Sequence, residues 1–216
     1  MRGRAVTPAE FEAMLAATPQ VVGSEAAESW QFLIRGFWTS GLRLSEACDL
    51  YWDGLRGHTI DLEGKRPMFI IRGRLEKGRR DRRLPIAPEF AEPLRSVPPQ
   101  ARLGRVFEPA ARRPWQAPPK PHRVGEVVAD IGEAAGVVVD ADPRTGMPTK
   151  YASAHDLRRA FGYRWATRVM PAVLQKLMRH ASIQTTMQFY VDLEADDVAD
   201  ALWDATGNSF GNSDPI

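Results

Sequence analysis

The sequence predicts a mainly α protein with one small three-stranded antiparallel β-sheet, an α+β class. Apolar residues recur at helical spacing along most of the chain, which is how a helix buries one face. Between Gly57 and Pro85 the pattern changes to short β-type segments separated by turn residues. At 216 residues, 44% hydrophobic and 26% charged, the chain can bury a sizeable core, as one large domain or one and a half small ones.

Thr7-Pro8-Ala9-Glu10 supplies a cap, an N1 proline and an N3 acid, and Phe11, Met14 and Leu15 share a face, so a first helix is expected to run to about Ala17. A second spans about Ala26 to Ser40, with Trp30, Leu33, Ile34 and Phe37 on its buried side, and stops at Gly41. A third starts near Leu44. The strands are expected at His58 to Leu62, Met68 to Ile71 and Arg82 to Ile86, with turns at or near Glu63-Gly64-Lys65 and Lys77-Gly78-Arg79. Small and basic, this sheet reads as a poor core and a DNA-facing arm. A helix follows at Pro88 to Leu94, then a Pro- and Arg-rich loop to Pro121. Val124, Val127, Val128 and Ile131 mark a helix from His122 to Ala135, ended by Gly136, before another irregular stretch. The last helices are expected at Ser153 to Arg168, Pro171 to Arg179 and Ser182 to Tyr190.

No apolar run approaches the ~18 to 20 residues of a membrane-spanning helix, and Met1-Arg2-Gly3-Arg4 lacks a signal peptide's apolar stretch, so a soluble cytoplasmic protein is expected. The single cysteine, Cys48, excludes an internal disulfide and a cysteine-based zinc site, and reads as a small buried residue.

Net charge is only +2, but it is unevenly spread. Residues 192–216 hold seven acids and no Lys or Arg, so residues 1–191 carry 29 basic against 20 acidic side chains, or +9. Between Arg72 and Arg83 seven of twelve residues are basic: Arg72, Arg74, Lys77, Arg79, Arg80, Arg82 and Arg83. A second basic stretch, from Arg102 to Arg123, includes Arg112, Arg113, Lys120 and Arg123. Such density suits a polyanion, since each phosphate contact adds salt-dependent affinity. The alternative is a solvated hairpin and loop kept soluble by charge.

His155 and Arg158 in Ser153-Ala154-His155-Asp156-Leu157-Arg158-Arg159 are three apart and share a helix face, beside the buried side marked by Leu157, Phe161 and Trp165. Arg43 stands at a helix junction, where Glu46 one turn on could serve merely as its ion-pair partner. Arg179-His180 and Phe189-Tyr190 follow.

Four segments in this order carry a family resemblance: Thr39-Ser40-Gly41-Leu42-Arg43-Leu44-Ser45-Glu46, the turn Lys77-Gly78 leading to Arg83-Leu84-Pro85-Ile86, His155-Asp156-Leu157-Arg158-Arg159, and Leu177 to Thr186 followed by Tyr190. From about Thr7 to about Leu193 the chain resembles the catalytic domain of tyrosine recombinases, the phage integrase family. That resemblance implies the fold of that domain and a site-specific DNA recombinase or integrase that works through a covalent 3′-phosphotyrosine, without metal or ATP. It implies that Arg43 and Arg158 clamp the scissile phosphate and stabilise its transition-state charge. Lys77 corresponds to the lysine that protonates the leaving 5′ oxygen, His155 to the histidine that assists proton transfer at the tyrosine, His180 to a hydrogen-bond donor to the phosphate, and Tyr190 to the nucleophile. No metal or other cofactor is implied. The implied partners are a double-stranded DNA recombination site and other copies of the chain, a tetramer on DNA, with residues 192–216 forming an acidic tail, a helix that packs in cis or trans followed by a flexible end.

The chain departs from the family pattern in places. Arg179 stands where many members have glycine. Arg79 and Arg80 are alternatives to Lys77 in the crowded turn, the Lys77-Gly78 pair and its distance to Pro85 favouring Lys77. The usual nucleophile position is held by Phe189, with Tyr190 one residue later; a tyrosine-to-phenylalanine change at 189 would leave the same sequence. Residues 1–191 would form the catalytic domain alone, and the helical module that usually precedes it is expected to have been removed or to be naturally missing. Remaining alternatives are a type IB topoisomerase-like relaxing activity and an inactive DNA-binding relative. A metal hydrolase using His58, His122, His155 and His180 is disfavoured, since no two histidines have ligand spacing, and His58 and His122 read as surface or loop residues.

Overall fold

A computed structural model describes residues 3–54, 56–73, 79, 81–111, 117–191, 198, 199 and 203. They fall into two compact units, Met1–Phe161 and Gly162–Ile216. Among the described residues no helix is long and apolar enough to cross a membrane.

The first unit opens with α1 (Pro8–Val22), α2 (Ser24–Ser40) and α3 (Leu44–Cys48). At the start of α1 the Thr7 hydroxyl accepts from the Glu10 amide at 3.3 Å, and the Glu10 carboxylate accepts from the Thr7 amide at 2.9 Å, the capping box written in the sequence. Arg4 pairs with the same carboxylate and, against the opposing effect of burial and with help from the Thr7 bonds, holds Glu10 down to about 2. The helix continues five residues beyond the expected end, through Pro19. A proline there removes the hydrogen bond to the Leu15 carbonyl. Gln31 Nε2, from α2, donates to that carbonyl at 2.9 Å and repairs the gap. α2 likewise begins two residues before the expected Ala26 and ends as expected, with Gly41 left-handed at φ +60°. A Cβ on Gly41 would lie 2.5 Å from the Phe161 ring, so both conformation and space require glycine.

The sheet orders β1 (Leu50–Tyr51), β2 (His58–Asp61), β3 (Met68–Ile71) and β4 (Arg82–Pro85). β2, β3 and β4 are antiparallel in the expected order, with Thr59 opposite Ile70 and Phe69 opposite Leu84. The correction is a fourth strand: β1, only two residues long and parallel to β2, is too short to leave a periodic signal. The expectation of a poor core also fails. Phe69 and Ile71 are buried, and Phe69 packs 5.8 Å from Phe90 of α4 (Pro88–Ser96). His58 is likewise no surface residue: it is 3% exposed, and its Nδ1 accepts from the Arg72 amide at 3.1 Å. His122 is on the surface, beside Glu126.

α5 (Pro121–Ala134) places Val124, Val127, Val128 and Ile131 in the core as its spacing predicts. The irregular stretch expected after Gly136 contains a hairpin, β5 (Val138–Ala141) and β6 (Pro148–Tyr151), turned at Asp142, whose side chain accepts from the amides of Arg144 and Thr145. Cys48 is buried, and burial pushes its thiol up to about 11.

α6 (Ala154–Ala166) begins in the first unit. The second unit holds the end of α6, α7 (Pro171–Met178) and α8 (Ile183–Val191), each within two residues of its expected bounds.

Candidate active site

In the first unit the site is built at the α2–α3 junction and the first turns of α6. Arg43 caps α3 in extended conformation. Its amide donates to Glu46 Oε2 and its Nη1 to Glu46 Oε1, both at 2.7 Å. The ion pair proposed as the bland explanation is therefore real, yet the Glu46 side chain is only 6% exposed while that of Arg43 is 43% exposed. A buried carboxylate pins one corner of a guanidinium that still faces outward, and guanidinium has five donors to give.

Arg158 is 5% exposed, and its Nη1 donates to the Gly41 carbonyl oxygen. That carbonyl stands two residues before Arg43, so the same turn seats both arginines. His155, one turn earlier on α6, is exposed where Arg158 is buried. Partial desolvation first, then the positive charge of Arg159, hold its imidazole below the ordinary value, with Arg158 and Lys150 adding to the effect and Asp156 opposing it. A neutral ring at neutral pH can accept a proton.

Asp156 is fully buried and fixes the start of α6. Its carboxylate accepts from the Ser153 amide at 3.1 Å, the Ser153 hydroxyl at 2.6 Å, and Lys150 Nζ at 2.6 and 2.8 Å. Sequence reasoning missed Lys150. The Ser153-x-x-Asp156 spacing announces the cap, but nothing local announces that a lysine on β6 neutralises it.

In the second unit, Arg179 closes α7 with φ +54°, a left-handed residue, which explains why glycine suits this position. The next residue, His180, donates its amide to the Gln175 carbonyl at 3.1 Å and stacks its ring on Phe189, centroids 5.9 Å apart and planes 8° from parallel. Its Nδ1 lies 2.9 Å from the hydroxyl of Thr186, which is wholly buried. Phe189 is 8% exposed and meets Tyr163 edge-on at 5.1 Å. Tyr190 turns the other way, half-buried, and its phenol donates to the Val169 carbonyl at 2.6 Å. Burial pushes that phenol above its ordinary value.

Of the basic candidates, Lys77, Arg74, Arg80, Arg112 and Arg113 lie outside the described residues. Arg79, Arg82, Arg83, Lys120 and Arg123 are exposed. Arg82 and Arg83 lie on β4, an edge strand of the sheet. Arg83 pairs with Asp61 at 2.8 Å and Arg123 with Glu126 at 3.0 Å. Arg72 reaches the Gly54 carbonyl and Asp81 and stitches the sheet's margin.

Comparison with known proteins gives the same answer for the fold. No curated protein matches the chain by sequence. Among solved structures, the chain is similar to XerA recombinase (18% identity, TM-score 0.57, covering 93% of this chain and 64% of that one). It is also similar to XerH site-specific recombinase bound to its palindromic difH substrate in a post-cleavage complex (20%, 0.60, 94% and 54%). A third is a lambda integrase dimer bound to a COC′ core site (15%, 0.53, 88% and 48%). The chain thus spans between about half and two thirds of those proteins, and at these identities the likeness establishes the tyrosine recombinase catalytic fold. The sequence profile of the phage integrase family matches residues 4–196, nearly the whole chain, and on that match the protein belongs to the phage integrase family.

Proposed function

We propose that residues 1–191 are the DNA-cleaving and rejoining domain of a site-specific recombinase, with Tyr190 as nucleophile. The observation that carries this reading is the seating of Arg158 on the Gly41 carbonyl, two residues from an outward-facing Arg43. Two guanidinium groups held by buried acceptors form a preorganised anion site, and they take the electrostatic part that a metal ion plays in other phosphoryl transfers.

In this reading the Tyr190 oxygen attacks the scissile phosphorus as His155 takes the phenol proton. An O–P bond to tyrosine forms and the bond to the 5′ oxygen breaks, that oxygen receiving a proton from Lys77. His180 donates to a non-bridging oxygen. The ester keeps the bond energy, so a 5′ hydroxyl from another strand can reverse the step without ATP. A phenol with pKa of about 10 needs this help at neutral pH. The Tyr190 bond to Val169 describes a phenol at rest: a carbonyl oxygen cannot take its proton, so that bond must break before attack.

The exposed residues of β4, with Arg79, Lys120 and Arg123, supply the basic surface for double-stranded DNA; XerH and lambda integrase are themselves seen bound to DNA sites. Assembly of copies on DNA, as a tetramer, finds support in the apolar stripe Ile183, Met187 and Val191 exposed along α8, a surface for the acidic tail of a neighbour. Val198 and Trp203 of that tail are exposed too. In this reading the protein acts in the cytoplasm.

The test is covalent capture. The protein is incubated with a pool of nicked duplexes of randomised sequence, and adducts surviving denaturation are recovered and sequenced. Tyr190→Phe should abolish the adduct while binding persists; an adduct surviving in that variant refutes the nucleophile assignment.

A further inference from the structure

The buried hydroxyl of Thr186 is unexplained by packing. It belongs to the second turn of α8, is wholly inaccessible, and lies 2.9 Å from His180 Nδ1. Phe189, three residues on and so on the same helix face, stacks its ring within 8° of parallel to the same imidazole. The backbone of His180 is held as well, its amide on the Gln175 carbonyl at 3.1 Å and its carbonyl receiving Gln175 Nε2 at 3.3 Å. Ring plane, ring edge and main chain are each constrained by a separate group.

A neutral imidazole carries one N–H and one acceptor, and the partner of one nitrogen decides which nitrogen keeps the proton. If Nδ1 held it, Nε2 would present a lone pair to any anionic oxygen and repel it. If the threonine hydroxyl donates to Nδ1, the proton sits on Nε2 and the ring becomes a neutral donor. The geometry points to Thr186 as the positioning residue of His180, donating to Nδ1 and fixing the Nε2–H tautomer that a phosphate oxygen requires. The inference rests on the reading of His180 as the phosphate donor.

The experiment uses Thr186→Val, Thr186→Ser and His180→Ala, with Thr186→Val also placed in the His180→Ala background. Single-turnover adduct formation is followed on a duplex recovered by covalent capture, DNA binding is measured in parallel, and the His180 ring nitrogens are observed by ¹⁵N NMR at neutral pH. Wild type should show Nε2 protonated and Nδ1 bare. Thr186→Val should mix the tautomers and slow adduct formation about ten- to a hundredfold at unchanged DNA affinity, the scale of losing a group that orients an active-site histidine. Thr186→Ser should return the rate to within about threefold, and Thr186→Val should cost nothing further once His180 is alanine. A protonated Nδ1 in the wild-type ring overturns the inference, as does a Thr186→Val loss that persists undiminished without His180. Failure of the functional reading is seen separately: His180→Ala would then cleave at the wild-type rate while the tautomer still shifted in Thr186→Val.

Discussion

The Arg158 guanidinium donates to the carbonyl oxygen of Gly41, and that bond helps tie α6 to the turn from which Arg43 projects. Gly41→Ala should therefore damage stability and catalysis together. A side chain at φ +60° is strained, and its Cβ would meet Phe161 at 2.5 Å. A loss of about 1–3 kcal/mol in urea unfolding is expected. Arg158→Lys, which surrenders the fork of donors but keeps the charge, should slow adduct formation about 10²- to 10³-fold with little change in DNA affinity.

The depressed pKa of His155 gives a pH signature. If the ring acts as base, the rate of adduct formation should rise with pH through a midpoint below 6.5. Arg159→Gln removes the second-largest cause and should move that midpoint up, as an NMR titration of the ring would read independently. The stability sign follows: between the folded midpoint and 6.5 the unfolded chain binds more protons at this residue, so stability rises with pH across that window.

Phe189 and Tyr190 can be told apart. Tyr190→Phe should lose the adduct and only about 1 kcal/mol of stability, the worth of one phenol-to-carbonyl bond. Adding Phe189→Tyr to that variant should not restore cleavage, because residue 189 packs between His180 and Tyr163. Restoration of the adduct would transfer the nucleophile's role to position 189.

At the other end of the chain, Glu10→Gln should cost about 1 kcal/mol at pH 7, the usual worth of a helix cap. The folded carboxyl sits at about 2 and the unfolded one at 4.5, so this contribution is present above 4.5 and fades as pH falls toward 2. Urea curves of the two proteins should converge across that interval.

DNA binding should weaken with salt, and Lys120→Ala should flatten the slope of log affinity against log salt by about 1. Arg72→Ala should instead lower the unfolding midpoint, since Arg72 holds Asp81 and the Gly54 carbonyl within the fold.

What the sequence made legible was local. Gly41 before Arg43 and the Thr7 cap each announce a helix end within a few residues. The apolar spacing of α5 announces its buried face in the same way, whereas β3 is apolar at every position and its buried side shows only in the fold. The parts that escaped depend on distant partners: β1 exists because Leu50 and Tyr51 meet His58 and Thr59, and Lys150 matters because α6 brings Asp156 to it. His58 read as a surface or loop residue because nothing near it reveals the Arg72 amide it accepts from. Thr186 was visible as part of a motif, but its hydroxyl acquires meaning only beside the His180 ring.

Gln31 reaching across to the Leu15 carbonyl beneath Pro19 has a consequence for descent. The amide from the neighbouring helix offsets the donor that Pro19 lacks, so substitutions at 19 and 31 should not be independent. Relatives that lose the glutamine should have lost the proline first, and a chain carrying the proline with leucine at 31 should be rare among them.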